Sequence, residues 1–211
     1  TSLGGGVTYA EAAHRLGESD PEHILVKSLG GAASTPLRNR ITLGGSIMAQ
    51  PFWSDLLGPL MALGAEIRLE GAHSQVCEMG EFLRSSELRS GSLVHSLRFP
   101  FHSWRTWYHR EVRTAFDYAA FTLTMLYRQE RGMVKDLRVV LTGTSKKVER
   151  LLSVEERLQG RDAEERDFVN LAALFPETFV DRPHGSASYL RSVATVALER
   201  GLRTLMGGDA A

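Results

Sequence analysis

Leu37-Arg38-Asn39-Arg40-Ile41-Thr42-Leu43-Gly44-Gly45-Ser46-Ile47, followed nine residues after Ser46 by Asp55, is the stretch on which the reading of this chain turns. A glycine pair after a β-branched and apolar run lets the backbone turn sharply and approach a ligand closely. Thr42 and Ser46 flank the pair with hydroxyls, so the segment offers backbone N–H groups and two side-chain hydroxyls to a phosphate or a polyol chain. The plainer alternative is a Gly-Gly hairpin or strand bend, since short glycine motifs are common.

Around this stretch lies a chain of ordinary globular composition. It has 211 residues, 43% of them hydrophobic, enough for a real core in one domain or two small ones. Lys+Arg and Asp+Glu are both 25, so the total charge suggests neither a nucleic-acid face nor a funnel for an acidic substrate and favours association with other subunits. The one cysteine, Cys77, excludes an internal disulfide framework and by itself holds neither an iron–sulfur cluster nor a structural zinc; it reads as a buried small side chain or, alternatively, a redox group. No apolar run reaches the roughly 18 residues of a membrane span, and Thr1-Ser2-Leu3-Gly4-Gly5-Gly6 lacks the features of a signal peptide. The expectation is a soluble, cytoplasmic protein that begins inside a longer polypeptide.

Taken in order, Leu3 to Leu16 reads as a strand end, a glycine turn and a helix, with Thr8 and Glu11 placed for a capping box. The triple glycine is either a turn or an anion site at a helix start. Pro21 opens a second helix through Leu29, ended by Gly30-Gly31. Asp55 starts or lies within a helix whose Leu56, Leu57, Leu60, Met61 and Leu63 form a core stripe; the aspartate itself either meets the helix dipole or contacts a ligand. Alternation predicts a strand over 65–70 and a hairpin partner over 74–78, then a turn or short helix over 80–83 and a strand over 92–100 stopped by Pro100. Two strands are predicted over 114–126 and 133–143, joined by a charged turn at 128–132, and helices over 146–159, 163–174 and 186–206. Trp107-Tyr108-His109-Arg110 reads as a basic, aromatic surface edge, or as a place where Tyr108 covers a ring. No nucleophile elbow and no His-Glu-x-x-His spacing occurs, so hydrolysis is not indicated.

The order of these motifs resembles the flavin-binding medium subunit of the molybdenum hydroxylases, the family of carbon monoxide dehydrogenase and xanthine dehydrogenase. That family runs Ile-Arg-Asn, Thr-Ile-Gly-Gly-Asn/Ser, then an Asp before a helix ending Leu-Leu-Ala-Leu-x-Ala, which Leu37 to Ala65 follow here with Pro51 and Pro59 each displaced by one residue. Leu3 to Tyr9 is similar to its Ile-Gly-Ala-x-Thr-Thr, Arg113-x-x-x-Asp117-Tyr118-Ala119 to its Arg-x-x-x-Asp-x-Ala, Glu156 to Gly160 to its Glu-x-x-Leu-x-Gly, and Ser186 to Arg191 to its Ser-Ala-x-Tyr-Arg-Arg.

The resemblance implies an α+β chain: the second part of a PCMH-type FAD-binding domain over 1–103, then a C-terminal domain of antiparallel sheet plus three helices over 104–211. It implies FAD as cofactor, with contacts at Thr42, Leu43, Gly44, Gly45, Ser46, Asp55, Val94 and Tyr108, and no catalytic or metal-ligating residue in this chain. The molybdenum cofactor and [2Fe-2S] clusters are expected only on partners, a molybdopterin large subunit and an iron–sulfur small subunit. The family's first glycine-rich loop, which holds the pyrophosphate, belongs to an N-terminal subdomain outside these 211 residues. Two functions stay open: an electron-transfer flavoprotein subunit, or a scaffold of the same fold that has lost FAD.

Overall fold

The computed structural model describes the chain except residues 73, 101, 163–167, 169–170 and 208–211. From the N-terminus, β1 (Ser2–Gly4) leads through five helices, α1 (Tyr9–Gly17), α2 (Ile24–Gly31), α3 (Thr35–Arg38), α4 (Leu43–Ala49) and α5 (Leu57–Leu63), into β2 (Glu66–Gly71) and β3 (Val76–Glu78). Then come α6 (Met79–Arg84), α7 (Ser86–Arg89) and β4 (Ser92–Arg98). The four strands make an antiparallel sheet in the order β1-β4-β2-β3. Alternation decides which face is covered: Ile67 and Leu69 of β2 and Cys77 of β3 point into the core, whereas Glu66 and Arg68 face out. Helix α1 forms where the sequence predicts it, with both reciprocal bonds of the Thr8–Glu11 capping box and a buried stripe of Tyr9, Ala12 and Leu16.

The second half contains β5 (Arg105–Glu111), β6 (Phe121–Glu130), β7 (Met133–Thr144) and β8 (Lys147–Arg150), an antiparallel sheet in that order. Helix α8 (Leu152–Leu158), a 3-10 turn at Leu171–Leu174 and the long α9 (Ala187–Met206) complete it. Strand β6 is buried continuously from Phe121 to Tyr127 because the sheet is covered on both sides. Leu126 and Val140 join the core of the first half, while Leu123, Met125, Val139 and Leu141 pack with α8 and α9. Fully burying each such leucine or valine contributes on the order of 1.5–3 kcal/mol. Glu155 ties α8 to the sheet: its carboxylate, almost fully buried, accepts from the Val139 N–H at 2.8 Å and from Arg150 Nε and Nη2 at 2.9 and 2.8 Å.

Four local expectations change. The helix expected over 146–159 is a strand followed by a shorter helix: after Lys147, at φ +65°, Val148 to Arg150 pair with β7, and α8 starts only at Leu152. The apolar residues fit a helical period, but pairing satisfies the N–H and C=O groups along the edge of β7, which a helix there would leave open. The strand expected from Thr114 begins at Phe121, since 112–120 is a loop held by Asp117, whose carboxylate accepts from Arg113 at 2.9 Å and from the Tyr118 N–H at 2.9 Å. The surface edge expected at 107–110 is instead part of strand β5, half-buried along most of its length, so no apolar alternation advertises it. The helix expected over 163–174 falls largely outside the described residues, and its described end is the 3-10 turn at Leu171–Leu174.

The remaining change concerns the opening stretch. Gly44 and Gly45 are neither a hairpin nor a strand bend; they are the first turn of α4, with Thr42 as its cap. Thr42 Oγ1 accepts from the Gly45 N–H at 3.1 Å, so the β-branched residue before the glycines ends the extended run and starts the helix. Thr42→Ala is expected to lower stability by about 1 kcal/mol in a urea unfolding curve, and an unchanged midpoint would mean the cap carries no weight.

Candidate functional site

The chain folds α4 against the glycine turn after β1 at very short range. The Gly44 N–H donates to the Gly5 carbonyl at 2.8 Å and the Leu43 N–H to the Val7 carbonyl at 2.9 Å. A Cβ on Gly44 would stand 2.9 Å from that carbonyl oxygen, so only glycine permits the approach. With the Gly45 N–H on Thr42 Oγ1 and the Ser46 N–H on the Thr42 carbonyl at 3.1 Å, the first N–H groups of α4 are all engaged within the chain. What the stretch presents outward is the side of its first turn: Thr42, the exposed Gly45, Ser46 and Ala49 line a cavity of about 640 Å³.

Three walls complete this cavity. Ala32, Ala33, Ser34 and Leu37 come from the α2–α3 connection, where Ala33 sits at φ +47° and Arg38 clamps the carbonyls of Ala32 and Ala33 at 3.0 and 2.8 Å. Pro51, Trp53, Ser54 and Asp55 follow α4. Across the gap, β5 and the 112–120 loop of the second half bring Arg110, Phe116, Asp117 and Tyr118. Trp53 and Tyr118 lie ring against ring with centroids 4.5 Å apart, and Phe52 meets Trp53 edge-on at 4.5 Å.

Asp55 is the charged centre of the floor. Ser54, not Asp55, serves the start of α5, accepting from the Leu56 and Leu57 N–H groups at 3.2 Å each. The Asp55 carboxylate is thereby released from the helix and lies buried where Tyr108 and Arg110 reach it: the Tyr108 hydroxyl donates to Oδ1 at 2.7 Å and Arg110 Nε to the same oxygen at 2.9 Å. Burial pushes the Asp55 carboxyl up from its ordinary range, and the Arg110 charge and both hydrogen bonds oppose that push. Burial, with Asp55 alongside, pushes the Tyr108 hydroxyl well up, which keeps it a donor. Tyr9, also lining the cavity, is pushed up by burial, against the opposing hydrogen bonds of the Ser46 and Ser54 hydroxyls. Arg110 is further fixed by a bond to the Asp117 carbonyl at 2.6 Å.

Of the residues singled out in the sequence, the structure brings Thr42, Gly45, Ser46 and Asp55 together on the cavity wall. Gly44 stands behind them against Gly5, and Leu43 is a fully buried core residue. Val94 is buried in β4 beneath the glycine turn, and Tyr108 supports Asp55 from below; neither lines the cavity. Trp53, Phe116, Tyr118 and Arg110 were not selected, yet they supply its aromatic rings and a cation that is only 12% exposed. Reading 105–111 as a strand would have put Tyr108 and Arg110 on one face, two residues apart, and pointed both at one partner. Among the described residues no cluster of His, Cys, Asp and Glu can hold a metal ion, and no helix is long and apolar enough to cross a membrane.

Residues 1–102 match the FAD binding domain in molybdopterin dehydrogenase, and residues 107–205 match the CO dehydrogenase flavoprotein C-terminal domain. The chain belongs to the family of FAD-binding medium subunits of the molybdopterin dehydrogenases. It is 27% identical over 168 residues to the glyceraldehyde dehydrogenase medium chain of Sulfolobus acidocaldarius, covering 76% of this chain and 59% of that protein. This chain therefore spans about three fifths of the length of that curated relative. Its fold is that of quinoline 2-oxidoreductase from Pseudomonas putida 86, with TM-score 0.86 and 21% identity over 98% of this chain and 75% of that one. Carbon monoxide dehydrogenase from Hydrogenophaga pseudoflava gives TM-score 0.86 and 19% identity over the same shares.

Proposed function

We propose that this chain is the FAD-carrying electron-transfer part of a molybdenum hydroxylase-type oxidoreductase, its first domain running to about residue 103 and its second from there. The observation that supports this reading best is the make-up of the cavity. Its lining combines the hydroxyls of Thr42, Ser46 and Ser54 and the charges of Asp55 and Arg110 with the rings of Trp53, Phe116 and Tyr118. Such a combination fits a ligand with a flat apolar ring system joined to a polyol and phosphates, and the volume falls within the usual range of ligand sites, about 300–1,000 Å³. The residues present fit FAD in this sense.

On this reading Thr42, Ser46 and the exposed backbone of Gly45 hold the polar chain, Trp53 and Tyr118 cover the ring, and the Asp55–Arg110 pair sets the charge beside it. Bound FAD supplies redox chemistry, handing on to an acceptor electrons that arrive from iron–sulfur clusters of a small subunit and a molybdopterin large subunit; the protein supplies position and electrostatics. A second reading, a scaffold of the same fold without flavin, draws on one specific observation: the N–H groups at the start of α4 are already bonded within the chain and offer no bare anion nest.

The visible spectrum of the intact complex, purified gently near neutral pH, separates the two. Flavin bands near one FAD per complex are expected, and their absence supports the scaffold. Gly45→Val places methyl groups beside Thr42 Oγ1, which is already only 2.9 Å from a Cβ there, and fills the cavity wall. It is expected to lower flavin content per folded protein at least about tenfold, with a melting curve showing that most of the fold is retained. Stoichiometric FAD in Gly45→Val would remove this wall from the site.

A further inference from the structure

Neither Arg182 nor His184 lines the cavity, yet both hold its aromatic rim. They belong to a short strap in front of α9 that is itself rigidly tied down. The N–H and C=O groups of Arg182 and Gly185 bond each other in both directions at 3.0 Å, and the Asp181 carboxylate accepts from the Ala187 N–H at 2.8 Å. Ser186 caps α9 through the Tyr189 N–H at 3.2 Å. From this base the Arg182 guanidinium lies over the Phe52 ring, 3.7 Å from its centroid, and donates to the Gly143 carbonyl at 3.1 Å. Its Nε is buried with no hydrogen-bond partner, so the ring contact takes the place of a bond that water would otherwise supply. His184 Nε2 lies 2.9 Å from the Tyr118 carbonyl oxygen, and the ring is 3.7 Å from the Asp117 carboxylate.

Both ends of the rim are therefore held from one place: Arg182 through Phe52, which packs edge-on against Trp53, and His184 through the backbone of Tyr118. This matters because Tyr118 is 61% exposed and sits in a loop, where an unsupported side chain would sample several rotamers. We propose that Arg182 and His184 are positioning residues that hold Trp53 and Tyr118 ring against ring at the cavity mouth, so that the C-terminal strap sets how tightly a planar ring binds there. The identity of that ring as flavin rests on the reading above; the strap itself does not.

The test measures amide exchange by mass spectrometry on the full-length protein without ligand, and then FAD affinity by fluorescence titration. Arg182→Ala is expected to speed exchange in residues 50–56, and His184→Ala in residues 114–120, each about tenfold with the remaining peptides unchanged. His184→Gln keeps an N–H for the Tyr118 carbonyl and should restore protection. Each alanine variant should weaken FAD binding about tenfold while the melting temperature stays near that of the wild type.

Unchanged exchange in both segments overturns the proposal, as does unchanged FAD affinity of both alanine variants against a wild type that binds. If the segments loosen but the wild type takes up no FAD, the strap stands and the flavin reading fails. Should an alanine variant loosen the whole chain, the judgement passes to two milder variants. Arg182→Lys loses the flat guanidinium on Phe52 and must loosen residues 50–56, whereas His184→Gln must keep residues 114–120 protected; the opposite result in either overturns the strap.

Discussion

Gly5→Ala is expected to lose at least about 3 kcal/mol of stability, the upper part of the range for overpacked sites, although it adds a single methyl group. A Cβ on Gly5 would lie 1.9 Å from the Val94 carbonyl oxygen and 2.9 Å from its carbon, both backbone atoms of a central strand with nowhere to go. The same residue donates its N–H to the His95 carbonyl at 2.8 Å and accepts from Gly44, so the displacement would pull β4 and the start of α4 apart together. Gly6 is the control: nothing lies within 4 Å of a Cβ built there, and Gly6→Ala should stay within about 0.5 kcal/mol of the wild type. Equal urea midpoints for the two variants would refute the claim that the glycine turn is a contact surface rather than a flexible linker.

Asp55→Ala should be nearly as damaging, at about 3–5 kcal/mol, because removing one member of a buried pair leaves its partner uncompensated. The Arg110 side chain is only 12% exposed, and without Asp55 it is left with its bond to the Asp117 carbonyl and no opposite charge beside it among the described residues. The Tyr108 hydroxyl loses its acceptor in the same step. Arg110→Ala should cost a similar amount by stranding the carboxylate. The double variant, with neither charge left, should be clearly more stable than the sum of the two losses predicts. Additive losses in the urea curves would show that the two side chains act independently and that the pair is not the floor of the site.

The particular elements show why some of this was legible in sequence and some was not. Ala65 to Glu78 was readable because one face of the first sheet meets water, which imposes alternation residue by residue. The Thr8 cap, the apolar run of α2 and the long α9 carry local signals of equal clarity, although α2 begins at Ile24 behind a His23 cap rather than at Pro21. The second sheet conceals itself, since it is covered on both faces: β6 buries Thr122 and Thr124 along with its apolar residues, and the half-buried edge β5 carries mixed residues such as Tyr108, whose partner Asp55 lies 53 positions away. For the same reason the motif side of the cavity could be picked out from Thr42 to Asp55, whereas Trp53, Arg110 and Tyr118 could not. Their role depends on which loop of the second half meets α4, and that is set by the packing of sheets rather than by any local pattern.

Helix α5 gives the packing a practical consequence. It lies against β6 and β7, where a Cβ on Gly58 would be 3.0 Å from the Thr142 side chain and 3.1 Å from that of Thr124, and Leu126 and Val140 of that sheet belong to the same core as Leu57 and Leu60. The two family matches meet between residues 102 and 107, yet the shared core makes one cooperative melting transition the expected result. A protein cut there would present the flank of α5 to water as an apolar scar, and should aggregate or stay molten where the uncut chain melts in one transition. Any shuffling of C-terminal halves between relatives must bring a sheet whose inner face was shaped against this helix.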